Sequence, residues 1–275
     1  MKLFEIDQQT CNKDGICAAV CPLKIIAFKE GECPTPVSGA EKVCVRCGHC
    51  VTVCPTGSFS HSEMPVEQCP PVRDDLQLTA EQCEHFLRSR RSIRVYKNKP
   101  VPRDTLLKLI EIAGYAPSGH NSQCVEWLVI EDSDELYKLK ELVLDWMRWM
   151  ISNKPAVAST LQLNESLKQW KRGSDVILRD APVLIIAHAE KGNIFAPAAC
   201  TIALAYLELA ATSMGLGACW TGFFFSAATS FPPLKEALAL PEGHQCFGTM
   251  IAGYPKFQYQ RIPLRKSPVV TVTRP

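Results

Sequence analysis

Net charge of one sign is almost absent: 30 Lys and Arg stand against 28 Asp and Glu, leaving +2. A nucleic-acid surface needs a clustered positive excess, so nucleic acid is excluded as the main partner. Long apolar runs are missing too. The longest, Ile194 to Leu207, stops at Glu208, short of the roughly 20 residues a bilayer helix needs. The first residues, Met1-Lys-Leu-Phe-Glu-Ile-Asp, lack the charged-then-apolar order of a secretory signal. No membrane partner and a cytoplasmic location are therefore expected. A disulfide framework is also lacking. Of 14 cysteines, nine precede residue 70, and Cys83, Cys124, Cys200, Cys219 and Cys246 are scattered without a pairing pattern. What remains is ordinary globular composition, 47% hydrophobic and 21% charged, over 275 residues, enough for about two domains.

Seven of the cysteines form two runs, each closed by Cys-Pro. The second is Cys44-Val-Arg-Cys47-Gly-His-Cys50-Val-Thr-Val-Cys54-Pro55. This is C-x2-C-x2-C-x3-C-P, the bacterial iron–sulfur spacing. The first is Cys11-Asn-Lys-Asp14-Gly-Ile-Cys17-Ala-Ala-Val-Cys21-Pro22, the same frame with Asp14 in place of the second cysteine. Thiolates are soft ligands, and the short gaps let one loop aim three sulfurs at one cluster. In two-cluster ferredoxins the Cys of Cys-Pro ligates the other cluster. Cys44, Cys47, Cys50 and Cys21 are thus assigned to one [4Fe-4S] cluster. Cys11, Cys17 and Cys54 hold the other. Its fourth position is open three ways: Asp14 as an oxygen ligand, a three-ligand [3Fe-4S] cluster, or Cys33 swinging in from between the runs. Zinc suits an isolated C-x2-C pair but not two runs that each end x3-C-P. His49 fills a variable slot in the run and is not expected to be a ligand.

The repeated frame predicts a small ferredoxin-like iron–sulfur domain over 1–62, with so little apolar core that bound clusters must supply much of its stability. A Pro-rich linker follows over 63–80, and a larger α+β domain over 81–275. In the latter, Thr79 caps a helix running to about Arg90, and Pro102 to Ala113 is a second helix. Trp127–Ile130 and Pro182–His188 are buried strands, Glu135 to about Met150 a longer helix, and Phe247–Gly253 a third strand. Ala198–Met214 is apolar nearly all round and is expected to be a fully buried helix.

Two polar segments carry candidate binding chemistry in this larger domain. Arg90, Arg91, Ser92 and Arg94 put three guanidinium forks and a hydroxyl within five residues, a set that can chelate a phosphate. Ala116-Pro117-Ser118-Gly119-His120-Asn121-Ser122-Gln123 is a turn dense in amides and hydroxyls, just before a strand. Gly215-Leu-Gly217 cannot be a dinucleotide loop, because it follows a helix and lacks the third glycine.

In this order, R-R-S-x-R, A-P-S-x-x-N-x-Q, Gly215-Leu-Gly217-Ala-Cys-Trp220-Thr-Gly222 and Gly253-Tyr-Pro255 with a late Arg265-Lys266 resemble the FMN-dependent nitroreductase family over about residues 82–275. With the cysteine runs, the whole chain is similar to ferredoxin-fused nitroreductases. The resemblance implies that Arg90, Ser92 and Arg265, assisted by Lys266, hold the FMN phosphate. It places Arg94 at the pyrimidine edge of the flavin as an electrostatic stabiliser. Pro117, Ser118, Asn121 and Gln123 would approach the ring, often from the other subunit, and Trp220, Thr221 and Gly222 would line its N5 side. It further implies a homodimer, NAD(P)H or a ferredoxin-type carrier as donor, and a nitro, quinone or other conjugated small molecule as acceptor. The family's usual Pro-Trp after the Gln is replaced here by Cys124-Val-Glu-Trp127. An electron relay or redox sensor without organic substrate is the alternative, separated by turnover with an acceptor panel.

Overall fold

A computed structural model of the chain describes residues 2–273. The chain divides into two compact units, 1–77 with 119–122, and 78–118 with 123–275.

In the first unit, β1 (Phe4–Ile6) pairs antiparallel with β4 (Phe59–His61), and β2 (Ile26–Ala27) with β3 (Thr35–Pro36). Short helices α1 (Ile16–Val20), α2 (Ala40–Val43) and α3 (His49–Thr52) lie between these strands in the chain. The two cysteine runs are offset by 33 residues, and their backbones repeat at that offset. Lys13 and Arg46 both have positive φ (58° and 52°), as do Gly15 and Gly48 (71° and 76°) and Lys24 and Gly57 (52° and 67°). The same sequence frame therefore folds twice into one loop-and-helix shape, left-handed turns preceding α1 and α3. Glycine suits both positions, since φ is positive and a Cβ would lie 2.5 Å from the Phe28 ring or 2.6 Å from the Met64 sulfur unless those side chains moved. The core is small: Phe4, Cys17, Cys21, Ile25, Ile26, Ala40, Val51 and Phe59, with the Phe4 and Phe59 rings 4.5 Å apart. The stretch expected as linker contains two single turns of 3-10 helix, Val66–Gln68 and Asp74–Leu76.

The second unit begins with α4 (Ala80–Ser89), started by a reciprocal capping box between Thr79 and Gln82. It continues through α5 (Arg103–Ala113), β5 (Glu126–Ile130), α6 (Ser133–Asn153), α7 (Pro155–Thr160), α8 (Leu163–Lys171), β6 (Val183–Glu190), α9 (Ala196–Ser213), β7 (Gly217–Trp220), α10 (Gly222–Ser230), α11 (Pro232–Ala237) and β8 (His244–Gly253). The strands form one antiparallel sheet in the order β5-β6-β8-β7. Central β6 reads Val-Leu-Ile-Ile-Ala because both its faces are covered. Leu184 and Ile186 join a core with α6, α10 and α11, while Val183, Ile185 and Ala187 join one with α5 and α9. In α6, Leu136, Leu139, Val143, Met147 and Met150 recur at helical spacing and are buried. Asp132 caps it by accepting from the Glu135 N–H at 2.8 Å.

Two sequence expectations are corrected. The sheet has a fourth strand, β7, inside the glycine-rich segment after α9: Gly215 at φ 72° ends the helix, and the Leu216 N–H reaches back to the Ala211 carbonyl at 2.8 Å. In addition, α9 is not fully buried: Cys200, Leu204, Leu207 and Ala211 face the core, while Ala198, Thr201 and Tyr206 are exposed. Its apolar composition made both faces look alike.

Candidate functional site

The repeat in the first unit gathers the thiols into two sets. Cys21, Cys44, Cys47 and Cys50 line one cavity of about 30 Å³, with His61 beside them. Burial pushes the Cys50 thiol up to about 12, and the Cys47 and Cys44 sulfurs add to the rise. The Cys44 Sγ accepts from the Arg46 N–H at 3.4 Å and lies 3.7 Å from His61 Nε2. In the second set, burial raises Cys17, reinforced by the charges of Cys54, Asp14 and Cys11. Cys54 is also penalised by burial, but the Thr56 hydroxyl at 3.6 Å and neighbouring backbone bring it below its usual range. Cys33 reaches Cys11, and its thiol is raised by desolvation and by that neighbour. Asp14 Oδ1 accepts from the Ile16 N–H at 3.1 Å at the start of α1. Burial keeps thiols such as Cys50 and Cys17 protonated, and giving up those protons to a bound cation would turn each set into crowded, soft thiolate donors. The donor chemistry fits an iron–sulfur cluster in each.

In the second unit, the Ile93 N–H donates to the Ala218 carbonyl at 2.9 Å, docking the arginine segment on β7. Gly217 makes room for it: a Cβ there would lie 2.2 Å from Ile93 Cγ1. The segment is laced onward by Lys97 N–H to Tyr254 O at 2.8 Å and Lys256 N–H to Val95 O at 3.0 Å. This aims Arg94 into a cavity of about 320 Å³ shared with Arg179, Trp220, Thr221, Gly222 and Phe223. Thr221 is itself buried, its hydroxyl 2.6 Å from that of Thr249 and its N–H on the Thr249 carbonyl, which fixes the start of α10. No side chain caps that helix N-terminus, and a Cβ at Gly222 would meet open space. Two guanidinium groups and a helix N-terminus make this cavity electropositive.

A family profile described as "Nitroreductase family" matches residues 87–254. The chain belongs to the nitroreductase family. Among its relatives is an Archaeoglobus fulgidus protein named as an NADH dehydrogenase/NAD(P)H nitroreductase, 27% identical over 176 residues, 64% of this chain and 87% of that one. A nitroreductase of Bacteroides fragilis, solved with bound FMN, superposes with TM-score 0.57 at 25% identity over 70% of this chain and 98% of its own. An iodotyrosine deiodinase bound to FMN and 3-iodo-L-tyrosine shares the fold, at TM-score 0.52 and 20% identity over 69% and 98% of the two chains.

Within this nitroreductase-family unit, one copy of the chain does not bring the anticipated residues together. Arg90 and Arg91 line a separate open cavity of about 550 Å³ with Lys97 and Lys256. Arg90 Nη1 is paired with the nearly buried Glu208 at 2.6 Å, and Arg91 lies over the Tyr259 ring at 5.6 Å. Ser92 is half-buried and adjoins them in sequence. Pro117, Ser118 and Gln123 line a third cavity of about 110 Å³ beside α9, where the Gln123 N–H donates to the Ser118 hydroxyl at 3.0 Å. Asn121 belongs to the first unit, where its amide donates to the carbonyls of Val45 and Arg46 at 3.2 and 3.0 Å. Its carboxamide hydrogens are spent on backbone rather than held for a ring. Arg265 and Lys266 are exposed in the extended stretch after β8.

Arg179, Asp175 and Glu208 were not singled out from sequence. Asp175 accepts from the Ile177, Leu178 and Asp180 N–H groups at 2.8, 2.9 and 3.1 Å and pairs with Lys140 at 3.1 Å. That grip holds Arg179 and Asp180 at φ 58° and 52° and so aims Arg179. No motif marks these residues. The only local signal is an Asp followed at short range by apolar residues, the pattern of a side chain folding its own turn.

Proposed function

We propose that this FMN-dependent oxidoreductase passes electrons between two iron–sulfur clusters in its first unit and FMN in its second. The electrons then reduce a nitro, quinone or other conjugated acceptor. The carrying observation is the cysteine frame that folds twice alike and yields two crowded thiol sets, in a chain whose larger part is a nitroreductase. The donor is NAD(P)H or a soluble ferredoxin-type carrier. The 1–62 segment then acts as a ferredoxin-like domain, 63–80 as linker and 81–275 as the flavin domain, in a reducing compartment. None of the 14 cysteines is joined to another by a disulfide.

In the first unit, Cys21, Cys44, Cys47 and Cys50 hold one cluster, and Cys11, Cys17, Cys54 and Asp14 the other. Asp14 stands at the frame position of Cys47, between a positive-φ residue and a positive-φ glycine as Cys47 does, so its side chain leaves the loop the same way. Oδ1 caps Ile16 while Oδ2 remains to ligate. In the second unit, bound FMN supplies a carrier that takes up two electrons and releases them singly or as hydride. Arg94, Arg179 and the N-terminus of α10 stabilise negative charge in the cavity they share, favouring reduction there. Trp220, half-exposed, shields one side, and Thr221 locks the backbone beneath it to β8. Arg90, Ser92, Arg265 and Lys266 bind the phosphate. A second copy, docked on the open face of α9, brings Pro117, Ser118 and Gln123 to its partner's cavity. This accounts for their separation in a single chain.

Protein purified without oxygen should carry both flavin and cluster absorption, with iron and FMN counts to match. It should turn over nitro and quinone acceptors under anaerobic conditions. Iron without FMN, or FMN without iron, would refute the two-cofactor reading. Reducible FMN with no turnover of any acceptor would favour a relay.

A further inference from the structure

At the other end of the sheet, three strands place Glu126, His188 and His244 on one face. Glu126 on β5 is directly opposite His188 on β6. His188 is opposite Cys246 on β8, so His244, two residues earlier on β8, projects from the same face one diagonal step away. A register shift between Ala187 and His188 re-aims the imidazole there. The two rings meet through like atoms. His188 Nδ1 lies 3.1 Å from His244 Nδ1, with ring centroids 5.3 Å apart at 64°. Glu126 Oε2 is 3.9 Å from His244 Nδ1, and one ligand atom from each residue falls within 4.8 Å of the others. His188 is buried, His244 nearly so, and Glu126 has an exposed carboxylate.

We propose that Glu126, His188 and His244 bind one divalent transition-metal ion of the zinc type, at a site that shares no residue with the two cysteine sets or the flavin cavity. A tetrahedral ion with nitrogens about 2.0–2.1 Å away holds two ligand nitrogens about 3.3 Å apart. The imidazoles already stand close to that spacing, and a small rotation of the exposed carboxylate brings its oxygen into range. Imidazole nitrogen with one carboxylate suits zinc and its neighbours far better than calcium or magnesium. Three protein ligands leave a fourth position open, and a cavity of about 190 Å³ lined by His244, Thr229, Lys235 and Glu236 gives solvent a way to it. The ion would clip the ends of β5, β6 and β8 together.

The test uses whole protein purified without oxygen, with whatever iron and flavin it carries. Wild type, His188→Gln, His244→Gln and Glu126→Gln are incubated with zinc chloride and gel-filtered, and zinc, iron and flavin are counted per chain. The expected result is one zinc retained by wild type, lost in both histidine variants and weakened in Glu126→Gln, with iron and flavin unchanged throughout. Zinc should raise the melting temperature of wild type most, of Glu126→Gln less, and of the two histidine variants not at all. Equal zinc in all variants, none in wild type, or zinc gained only as iron is lost would overturn the proposal. The last outcome would mean that the cluster thiols had taken the metal. If buried His188→Gln fails to fold, the two more accessible variants decide.

Discussion

Replacing Asp175 by Ala should loosen the wall of the cavity that holds Arg94 and Arg179. The Asp175 side chain is only 3% exposed, accepts three backbone N–H bonds and pairs with Lys140, itself 14% exposed. Each buried donor left unsatisfied costs about 1–3 kcal/mol. Stranding one member of a buried ion pair costs about 3–5 kcal/mol, less where, as here, the survivor has some access to water. The terms overlap, because water can enter once the side chain is gone, and a net loss of about 3 kcal/mol is expected. Against a domain stability of about 5–15 kcal/mol that loss is large. It corresponds to a fall in melting temperature of roughly 6–12 °C for a unit of this size. All five tryptophans lie in the second unit, so their emission during denaturant unfolding reports that unit by itself. The pH dependence checks the cause. Burial raises Asp175, but the Asp180 and Leu178 N–H groups, Lys140 and the Ile177 N–H outweigh it and hold the carboxyl below its ordinary 3.8. A carboxyl depressed in the folded state stabilises fully above its unfolded value and loses that contribution as pH falls through the folded one. The gap between wild type and Asp175→Asn should therefore be constant from neutral pH to about 5 and close only below about 4. A gap near zero at neutral pH, or one that widens on acidification, would refute the reasoning.

Arg94→Ala should weaken FMN binding or reduction by about 1.5–3 kcal/mol, read by flavin titration and potentiometry, with Arg179→Ala acting in the same direction. Wild-type values in both would remove the cavity's electrostatic role. Asp14→Cys should change the electron paramagnetic resonance of the first cluster, whereas Cys33→Ser should leave it alone; the reverse pattern would make Cys33 the ligand. Gly217→Ala must push Ile93 aside, and overpacking of that kind costs about 1–3 kcal/mol. It should also lower flavin content through the displaced arginine segment, as absorbance of the purified variant would show.

The cysteine frame was readable from sequence alone, because ligand spacing is a local property and the same 33-residue offset reappears in the backbone. The helices α4, α5 and α6 were readable for a similar reason: caps and 3.6-residue periodicity lie within one segment. So was the family, through four short motifs in a fixed order. Strand β7 was not, since four residues after a glycine turn carry no period, and only pairing with β8 makes them a strand. The exposed face of α9 was hidden by uniform apolar composition.

What sequence determined was which donors are present: soft thiols at iron–sulfur spacing and clustered guanidinium groups. What tertiary structure decided was their grouping. Arg179 joins Arg94 only because Asp175 folds the intervening turn, and Arg90 meets Glu208 from 118 residues away. Pro117, Ser118 and Gln123 stand apart from Trp220 within one chain, as expected if they reach the ring from the other subunit. Spacing along a chain fixes what a loop can ligate. Which loops face each other depends on long-range packing, and no local pattern encodes it.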